Sequence, residues 1–406
     1  MDHCILKTYC FKIVCFIILC GILQPKILSA QEEFIVPQAK YITTIPFKML
    51  TGGIIILNAK FDDKEDTLHF VFDTGSGGIS LDSATTDFLK IPREKSDKIV
   101  KGIAGNINVD FAYKHTLHFP GLDVENLDFH INNYDILTAS YGIRIDGIIG
   151  FSFLRRYIVM VNYDKHQMDI YTPGAIEYPK GGYLLKPQFT TLAKLDVNIR
   201  DDNRFLTKYY FDTGAGLCML LSEDLVKDSA LFKKRRKFFP TQAEGLGGKK
   251  AMSITYIKEV RVGPYRFKDV PIYIFDDTYK VTSYPQTGGL IGNDLLRRFN
   301  IILNYPKQEI YIKPNKSYQD SFDYSYTGLG IYLVNGAVTI TDIMKGSPAE
   351  KAGFQIGDVI LGIGSNFSNN ILAFKTLLQS ARTRLNIVIM RDGELVEIKL
   401  KVKSII

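Results

Sequence analysis

The chain of 406 residues contains no tryptophan and only five cysteines. Four of these, Cys4, Cys10, Cys15 and Cys20, fall in the first twenty residues, and Cys218 stands alone downstream. A chain shorn of its N-terminus would hold no internal disulfide, so its stability must rest on packing. Cys218, flanked by Leu217, Met219 and Leu220, reads as a buried structural thiol rather than a nucleophile. A strong charge of one sign is also missing. A net +7 over this length does not call for a nucleic-acid partner. The six histidines, His3, His69, His115, His118, His130 and His166, show no metal-ligand spacing, and His115 and His118 sit in strand-like sequence. There is no phosphate-cradling glycine loop and no serine-centred nucleophile elbow. Neither a metal nor a cofactor is expected. The apolar run Ile13–Leu23 is too short for a comfortable membrane span.

Residues 1–30 instead have the texture of an export signal. Lys7 and Lys12 precede the apolar run, and small residues follow at Ser29-Ala30 before Gln31. The expected location is exported: periplasmic, secreted or attached to the envelope, with membrane contact only if this segment stays uncleaved. The remainder is that of a folded protein, 46% hydrophobic, with 23 Tyr, 26 Phe and 33 Gly. That balance points to a strand-rich fold with many turns, and the length to two or three domains.

Two stretches organise the chain. In Leu68-His69-Phe70-Val71-Phe72-Asp73-Thr74-Gly75-Ser76 a run of strand-forming residues ends in a carboxylate and a tight turn. Lys208-Tyr209-Tyr210-Phe211-Asp212-Thr213-Gly214-Ala215 repeats the plan. A later element repeats too. Gly147–Tyr163 laid over Gly289–Tyr305 gives eight identities in 17 positions at an offset of 142, against 139 between the two aspartates. This is an internal duplication of a mostly-β unit of about 140 residues, too long a period for a solenoid. Each copy also carries a glycine-rich turn, Gly102-Ile103-Ala104-Gly105 and Gly245-Leu246-Gly247-Gly248. Short helices are predicted after Asp82, after Ser222, over Phe151–Tyr157 and over Asn293–Phe299. The basic run Lys233–Lys237 reads as a solvated loop or helix end, with contact to an acidic surface as the alternative.

A carboxylate at the end of a buried strand is costly to desolvate, and two in matching contexts suggest that they act together. Two facing carboxyls cannot both ionise cheaply, so they share a proton. The ionised one can take a proton from water while the neutral one donates to a carbonyl oxygen, which hydrolyses an amide without metal or covalent intermediate. Gly75 and Gly214 permit the turns, and Thr74 and Thr213 can brace one against the other. Residues 40–315 thus resemble the retropepsin-like and pepsin-like aspartic proteases. Val71-Phe72-Asp73-Thr74-Gly75-Ser76 with Ile148-Ile149-Gly150 matches one lobe, and Tyr210-Phe211-Asp212-Thr213-Gly214-Ala215 with Leu290-Ile291-Gly292 the other. The resemblance implies a bilobal β-barrel fold, with Asp73 and Asp212 as the catalytic dyad. It also implies two flaps around Gly102, Ile103 and Gly105 and around Gly245, Leu246 and Gly247. The lobes are expected over residues 31–180 and 181–318. Ala215 departs from the pattern, since Ser76 offers a hydroxyl to its carboxylate and Ala215 does not. Asp73 is therefore expected to be the ionised partner and the pH optimum to be less acid than pepsin-like.

From about Phe322 the texture changes. Gly328-Leu329-Gly330-Ile331, then Gly346-Ser347-Pro348-Ala349 through Gly357-Asp358-Val359-Ile360, resemble a PDZ domain of the bacterial protease type over residues 322–406. The resemblance implies that backbone N–H groups near Leu329, Gly330 and Ile331 hold a peptide's C-terminal carboxylate, with the peptide lying against a helix bearing Phe374; the alternative is a domain that packs on the protease and binds no free peptide. That helix is expected over Ala373–Ala381. The expected partners are polypeptide substrates and peptide C-termini or extended segments. The reading is an exported aspartic endopeptidase with a substrate-recruiting PDZ domain. Its rival is a non-catalytic peptide-binding or scaffold protein with the same fold.

Overall fold

The strands that end in the two aspartates are rich in aromatic and β-branched residues, which suit a half-buried pleated surface. Thr67–Phe72 buries Leu68, Phe70, Val71 and Phe72, and Arg204–Phe211 buries Tyr209 and Phe211. In the structure, a computed structural model that describes residues 36–233, 236–322, 325–379 and 384–405, each strand belongs to a closed six-stranded barrel. The first barrel runs Ile55–Phe61, Thr67–Phe72, Gly147–Ile149, Ile79–Asp82, Leu122–Asn132 and Asp110–Phe119, closing where Phe61 pairs with Leu117. The second runs Ala193–Arg200, Arg204–Phe211, Gly289–Ile291, Met219–Ser222, Tyr265–Phe275 and Gly248–Val262, closing through Val197 and Val262. Closure removes the exposed edges that an open sheet of this length would present. The proposed export segment and a few short stretches, Lys234-Arg235 of the basic run and Ala381 among them, lie outside the described residues.

Behind the barrels a base sheet takes strands from both halves. Its order is Tyr183–Leu185, Glu309–Pro314, Phe299–Asn304, Ile158–Asn162, Gln167–Tyr171, Tyr41–Met49. Ile158–Asn162 and Phe299–Asn304 pair antiparallel, with Met160 opposite Ile302. These two are 142 residues apart, the offset of the duplicated hairpins, so the axis relating the halves passes between them. A single apolar core continues through both barrels, whereas the C-terminal module has its own.

That module is a five-stranded sheet in the order Leu329–Val334, Ala337–Ile343, Val359–Ile363, Arg384–Arg391, Glu394–Lys401, with helices Pro348–Ala352 and Ile371–Leu378. Leu329–Val334 is an edge strand of this sheet. The second helix starts two residues before the expected point because the Asn370 side chain caps it, accepting from the N–H groups of Leu372 and Ala373 at 3.0 and 3.1 Å. The helices expected over Phe151–Tyr157 and Asn293–Phe299 are single turns, Phe151–Leu154 and Asn293–Leu296, because the chain re-enters the base sheet at Ile158 and Phe299. Arg236 of the basic run is not solvated as expected. Its guanidinium bonds to Asp201 at 2.7 Å and to the Tyr256 carbonyl.

The duplication has diverged where the halves meet. The Tyr163 hydroxyl donates to Asn293 Oδ1 at 2.7 Å, and Asn293 Nδ2 donates to the Gly53 carbonyl. At the offset of 142, Tyr305 corresponds to Tyr163 and Phe151 to Asn293. The Phe151 ring lies 6.2 Å from that of Tyr305, whose buried hydroxyl has no partner among the described residues. Tyr163→Phe should therefore cost about 1–3 kcal/mol by stranding a buried acceptor, while Tyr305→Phe should be neutral or stabilising. Urea unfolding midpoints of the two variants check this, and equal losses would contradict it.

Candidate active site

Each aspartate follows a strand that pairs in parallel with a three-residue strand of the repeated Gly-apolar-apolar-Gly element. Phe70, Val71 and Phe72 lie opposite Gly147, Ile148 and Ile149, and Tyr209, Tyr210 and Phe211 opposite Gly289, Leu290 and Ile291. The N–H groups of Asp73 and Asp212 then bond to the carbonyls of Ile149 and Ile291 at 2.9 and 3.0 Å. Both turns are thereby held at the barrel ends, facing one another.

The threonines cross between them. Thr74 Oγ1 donates to the Phe211 carbonyl at 2.6 Å and accepts from the Thr213 N–H at 3.0 Å. Thr213 Oγ1 donates to the Phe72 carbonyl at 3.1 Å and accepts from the Thr74 N–H, also at 3.1 Å. Both side chains are buried, so all four bonds are shielded from water. The glycines are fixed by close approach. A Cβ on Gly75 would lie 2.5 Å from the Asp212 carboxyl carbon, and one on Gly214 would lie 2.2 Å from that of Asp73. Each glycine leaves room for the opposite carboxyl, a role that the turn sequence alone does not reveal.

Asp73 and Asp212 are within hydrogen-bond reach of each other. Each keeps some accessible surface toward the cleft, but protein rings the pair on every other side. Burial raises Asp73 above the ordinary carboxylate range, opposed by a hydrogen bond from Asp212 and by backbone N–H groups. Asp212 is pushed well above that range, first by burial and then by the charge of Asp73. Like charges at this distance keep one proton shared between the two, and the stronger upward push at Asp212 favours it as the holder. The reason differs from the one expected. Among the described residues the Ser76 hydroxyl makes no hydrogen bond to Asp73. The Gly75 N–H donates to it at 2.7 Å, and the N–H groups of Ser76 and Gly214 favour its charge at looser geometry. Asp212 accepts from the N–H groups of Gly214 and Ala215 at 2.8 and 3.0 Å.

Over the carboxyls lies a cleft of about 800 Å³, lined by Ile103, Tyr134, Leu137, Tyr141, Leu217, Leu220, Met252 and Tyr273 among others. His130 also lines it, held neutral because burial pushes its pKa down to about 4. Two hairpins roof it. Ile99–Gly102 and Gly105–Asn108 form the first, and Phe239–Gly245 with Gly248–Val262 the second. Their tips meet: the Ala104 N–H donates to the Leu246 carbonyl at 3.3 Å, and a Cβ on Gly102 would lie 2.1 Å from that oxygen. Ile103 packs on Gly245, and Gly247 lies against the Ala104–Gly105 backbone. The helix Asp135–Tyr141, which supplies Leu137 and Tyr141, was not anticipated. Its seven residues carry no apolar periodicity long enough to mark them.

In the C-terminal module, Leu329, Gly330 and Ile331 line a second cavity of about 200 Å³. The Leu329 N–H is engaged there by the Thr327 hydroxyl at 3.3 Å. Phe374 does not line it, contrary to expectation. The helical repeat places Phe374 with Ile371 in the module's core and turns Lys375 and Gln379 toward the cavity.

Residues 57–153 and 195–295 match the family model described as aspartyl protease, and residues 339–391 match that of the PDZ domain. Over 73 residues the chain is 35% identical to a Chlamydia pneumoniae protein described as "Probable periplasmic serine endoprotease DegP-like". That stretch is 18% of this chain and 15% of the relative.

The raised carboxyls set a pH dependence of stability. The folded state binds the Asp212 proton more tightly than the unfolded state, so its contribution is full below the unfolded pKa, about 4, and is lost as pH rises through the folded value. Asp212→Asn should therefore gain stability over the parent as pH climbs from about 4 toward neutrality. Thermal midpoints across that range check it, and parallel curves for the two proteins would contradict it.

Proposed function

We propose that this chain, which carries two aspartyl protease lobes and a PDZ domain, is an exported aspartic endopeptidase acting on polypeptides. The observation that carries the reading is the carboxyl-to-carboxyl approach of Asp73 and Asp212, each seated on the other's glycine. A carboxylate pair that holds a shared proton above the ordinary carboxylate range has little use in a scaffold and a direct one in amide hydrolysis.

Asp73, charged, takes a proton from a water held between the carboxyls, and the water oxygen attacks the scissile carbonyl carbon. Asp212 gives its proton to the carbonyl oxygen, so the tetrahedral intermediate forms as a neutral diol. Collapse returns a diol proton to Asp212, the proton on Asp73 passes to the leaving nitrogen, and the C–N bond breaks. The crossed threonines hold both carboxyls still through these transfers, which keeps the reorganisation cost low. The hairpins bearing Gly102, Ile103 and Gly105 and Gly245, Leu246 and Gly247 are the flaps that cover an extended substrate. The apolar walls of the cleft favour apolar side chains beside the scissile bond.

On this reading residues 31–180 and 181–318 are the lobes, and residues 322–406 recruit substrate by its C-terminus at Leu329, Gly330 and Ile331. The sequence of residues 1–30 supports export, and so does the short likeness to a protein described as periplasmic.

The mature chain incubated with casein across pH 3–8 tests the reading. Cleavage should follow a bell with its optimum less acid than pepsin-like, because both carboxyls lie above the ordinary range. Pepstatin should block it, and Asp73→Asn and Asp212→Asn should each lower it at least a thousandfold, since the two act as one unit. Activity surviving either change would overturn the dyad. No activity under any condition would favour the peptide-binding scaffold.

A further inference from the structure

The hairpins over the cleft are in backbone contact at their tips, which bars a polypeptide from entering through the roof unless they part. The second hairpin has an additional restraint. Its strand Phe239–Gly245 and the start of Gly248–Val262 are tied to the PDZ domain by a cluster of polar contacts. Gln242 Nε2 donates to Asp342 at 2.8 Å and to the Tyr332 hydroxyl at 3.1 Å. Lys249 pairs with Asp342 and lies over the Tyr332 ring at 4.2 Å, while the Tyr332 hydroxyl donates to Glu244. Nearer the base of the strand, the Tyr326 hydroxyl donates to the Pro240 carbonyl at 2.9 Å.

The same PDZ face meets the first lobe. The helix Asp135–Tyr141 packs against the edge strand Leu329–Val334, the hairpin strand Phe239–Gly245 and the PDZ helix Ile371–Leu378. Lys375 donates to the Ser140 hydroxyl at 2.8 Å and to its carbonyl. A Cβ on Gly142 would lie 2.3 Å from Ile371. Leu372 joins an apolar cluster with Leu137, Tyr141 and the hairpin-tip residue Leu246. The peptide-binding edge of the PDZ domain is therefore turned inward, onto the roof of the cleft. The cavity beside Leu329, Gly330 and Ile331 shares Gln242, Glu244 and Tyr273 with the cleft wall.

A peptide that adds a strand beside Leu329–Val334 needs the space now held by the helix Asp135–Tyr141 and the hairpin strand. Both cannot lie against one edge. We infer that the PDZ domain latches the second hairpin over the cleft, and that a polypeptide C-terminus entering its groove displaces this latch and frees the hairpin to open. The inference rests on the peptide-binding part of the proposed function. Because the two occupants exclude each other, coupling is reciprocal: whatever loosens the latch tightens peptide binding by the same factor.

The test needs no hydrolysis. Full-length mature protein carrying Asp73→Asn is mixed with a fluorescent hexapeptide that ends in a free-carboxylate valine, or with its C-terminal amide. Binding is read by polarisation, and amide hydrogen exchange is followed over residues 135–141 and 239–254. The free-carboxylate peptide should speed exchange in both segments by about five- to a hundredfold, and the amide should not. Lys249→Ala with Asp342→Ala, which lie outside both cavities, should speed exchange without peptide and tighten peptide binding by a similar factor. Peptide binding with exchange unchanged or slowed would overturn the latch alone. Binding to neither the parent nor the double variant would overturn the peptide reading and the latch with it. Loss of the dyad reading shows only in the casein assay, so the failures are distinguishable. In the protein with Asp73 intact, a non-cleavable free-carboxylate peptide should raise kcat/KM for a short amidated substrate, whereas a groove that merely delivers substrate would show inhibition.

Discussion

Two carboxyl groups held in contact by the backbone of the opposite turn are the constraint from which the rest of the molecule follows. Like charges at that distance cannot coexist away from bulk water, so the pair retains a proton and each member resists being buried. Left to itself such a pair would spring apart. It is held by rigid means: crossed threonine bonds, glycines that leave room for the facing carboxyl, and parallel three-residue strands that fix the last residue before each aspartate. Those strands in turn need closed barrels on either side and a base sheet that joins the halves across Met160 and Ile302. Folding energy gathered over the apolar core that runs through both barrels offsets one unfavourable contact.

Much of this was legible because duplication writes the same local chemistry twice. The strand, aspartate, turn and Gly-apolar-apolar-Gly element each recur, and a pairing between copies is the simplest account of that recurrence. The glycine turns at Gly102 and Gly245 were visible for the same reason, although nothing local says that their tips touch. What could not be read depends on contacts between distant residues. The Ser76 hydroxyl looked like the source of the asymmetry between the carboxyls, yet backbone N–H groups supply what the side chain does not. Phe374 looked like a groove residue, but the register of its helix, set by the Asn370 cap, turns it into the core. The helix Asp135–Tyr141 gave no signal, because its stability comes from the three elements packed around it rather than from its own seven residues.

The two halves share a plan without sharing every contact, and the differences lie where one copy has been given a task the other lacks. Tyr163 and Tyr305 are equivalent by duplication, but among the described residues only the first reaches a polar partner, because Phe151 stands where the other half has Asn293. The hairpins differ in the same way. The first is a short pair of four-residue strands, while the second continues into a fifteen-residue strand and meets the C-terminal module along its outer side. A roof of two equal flaps would open symmetrically. Here one side is attached to a domain whose own edge strand and helix are committed to that attachment, so the energy of opening is divided between tip contacts and domain contacts. The tips join backbone to backbone, but Leu246 at the second tip also packs with Leu372 of the PDZ domain. Among the described residues the second hairpin meets the PDZ domain through Tyr326, Tyr332 and Asp342, while Lys375 holds the first lobe's helix at Ser140. On the proposed reading, access to the carboxyls is thereby referred to the PDZ domain as well as to the hairpin tips.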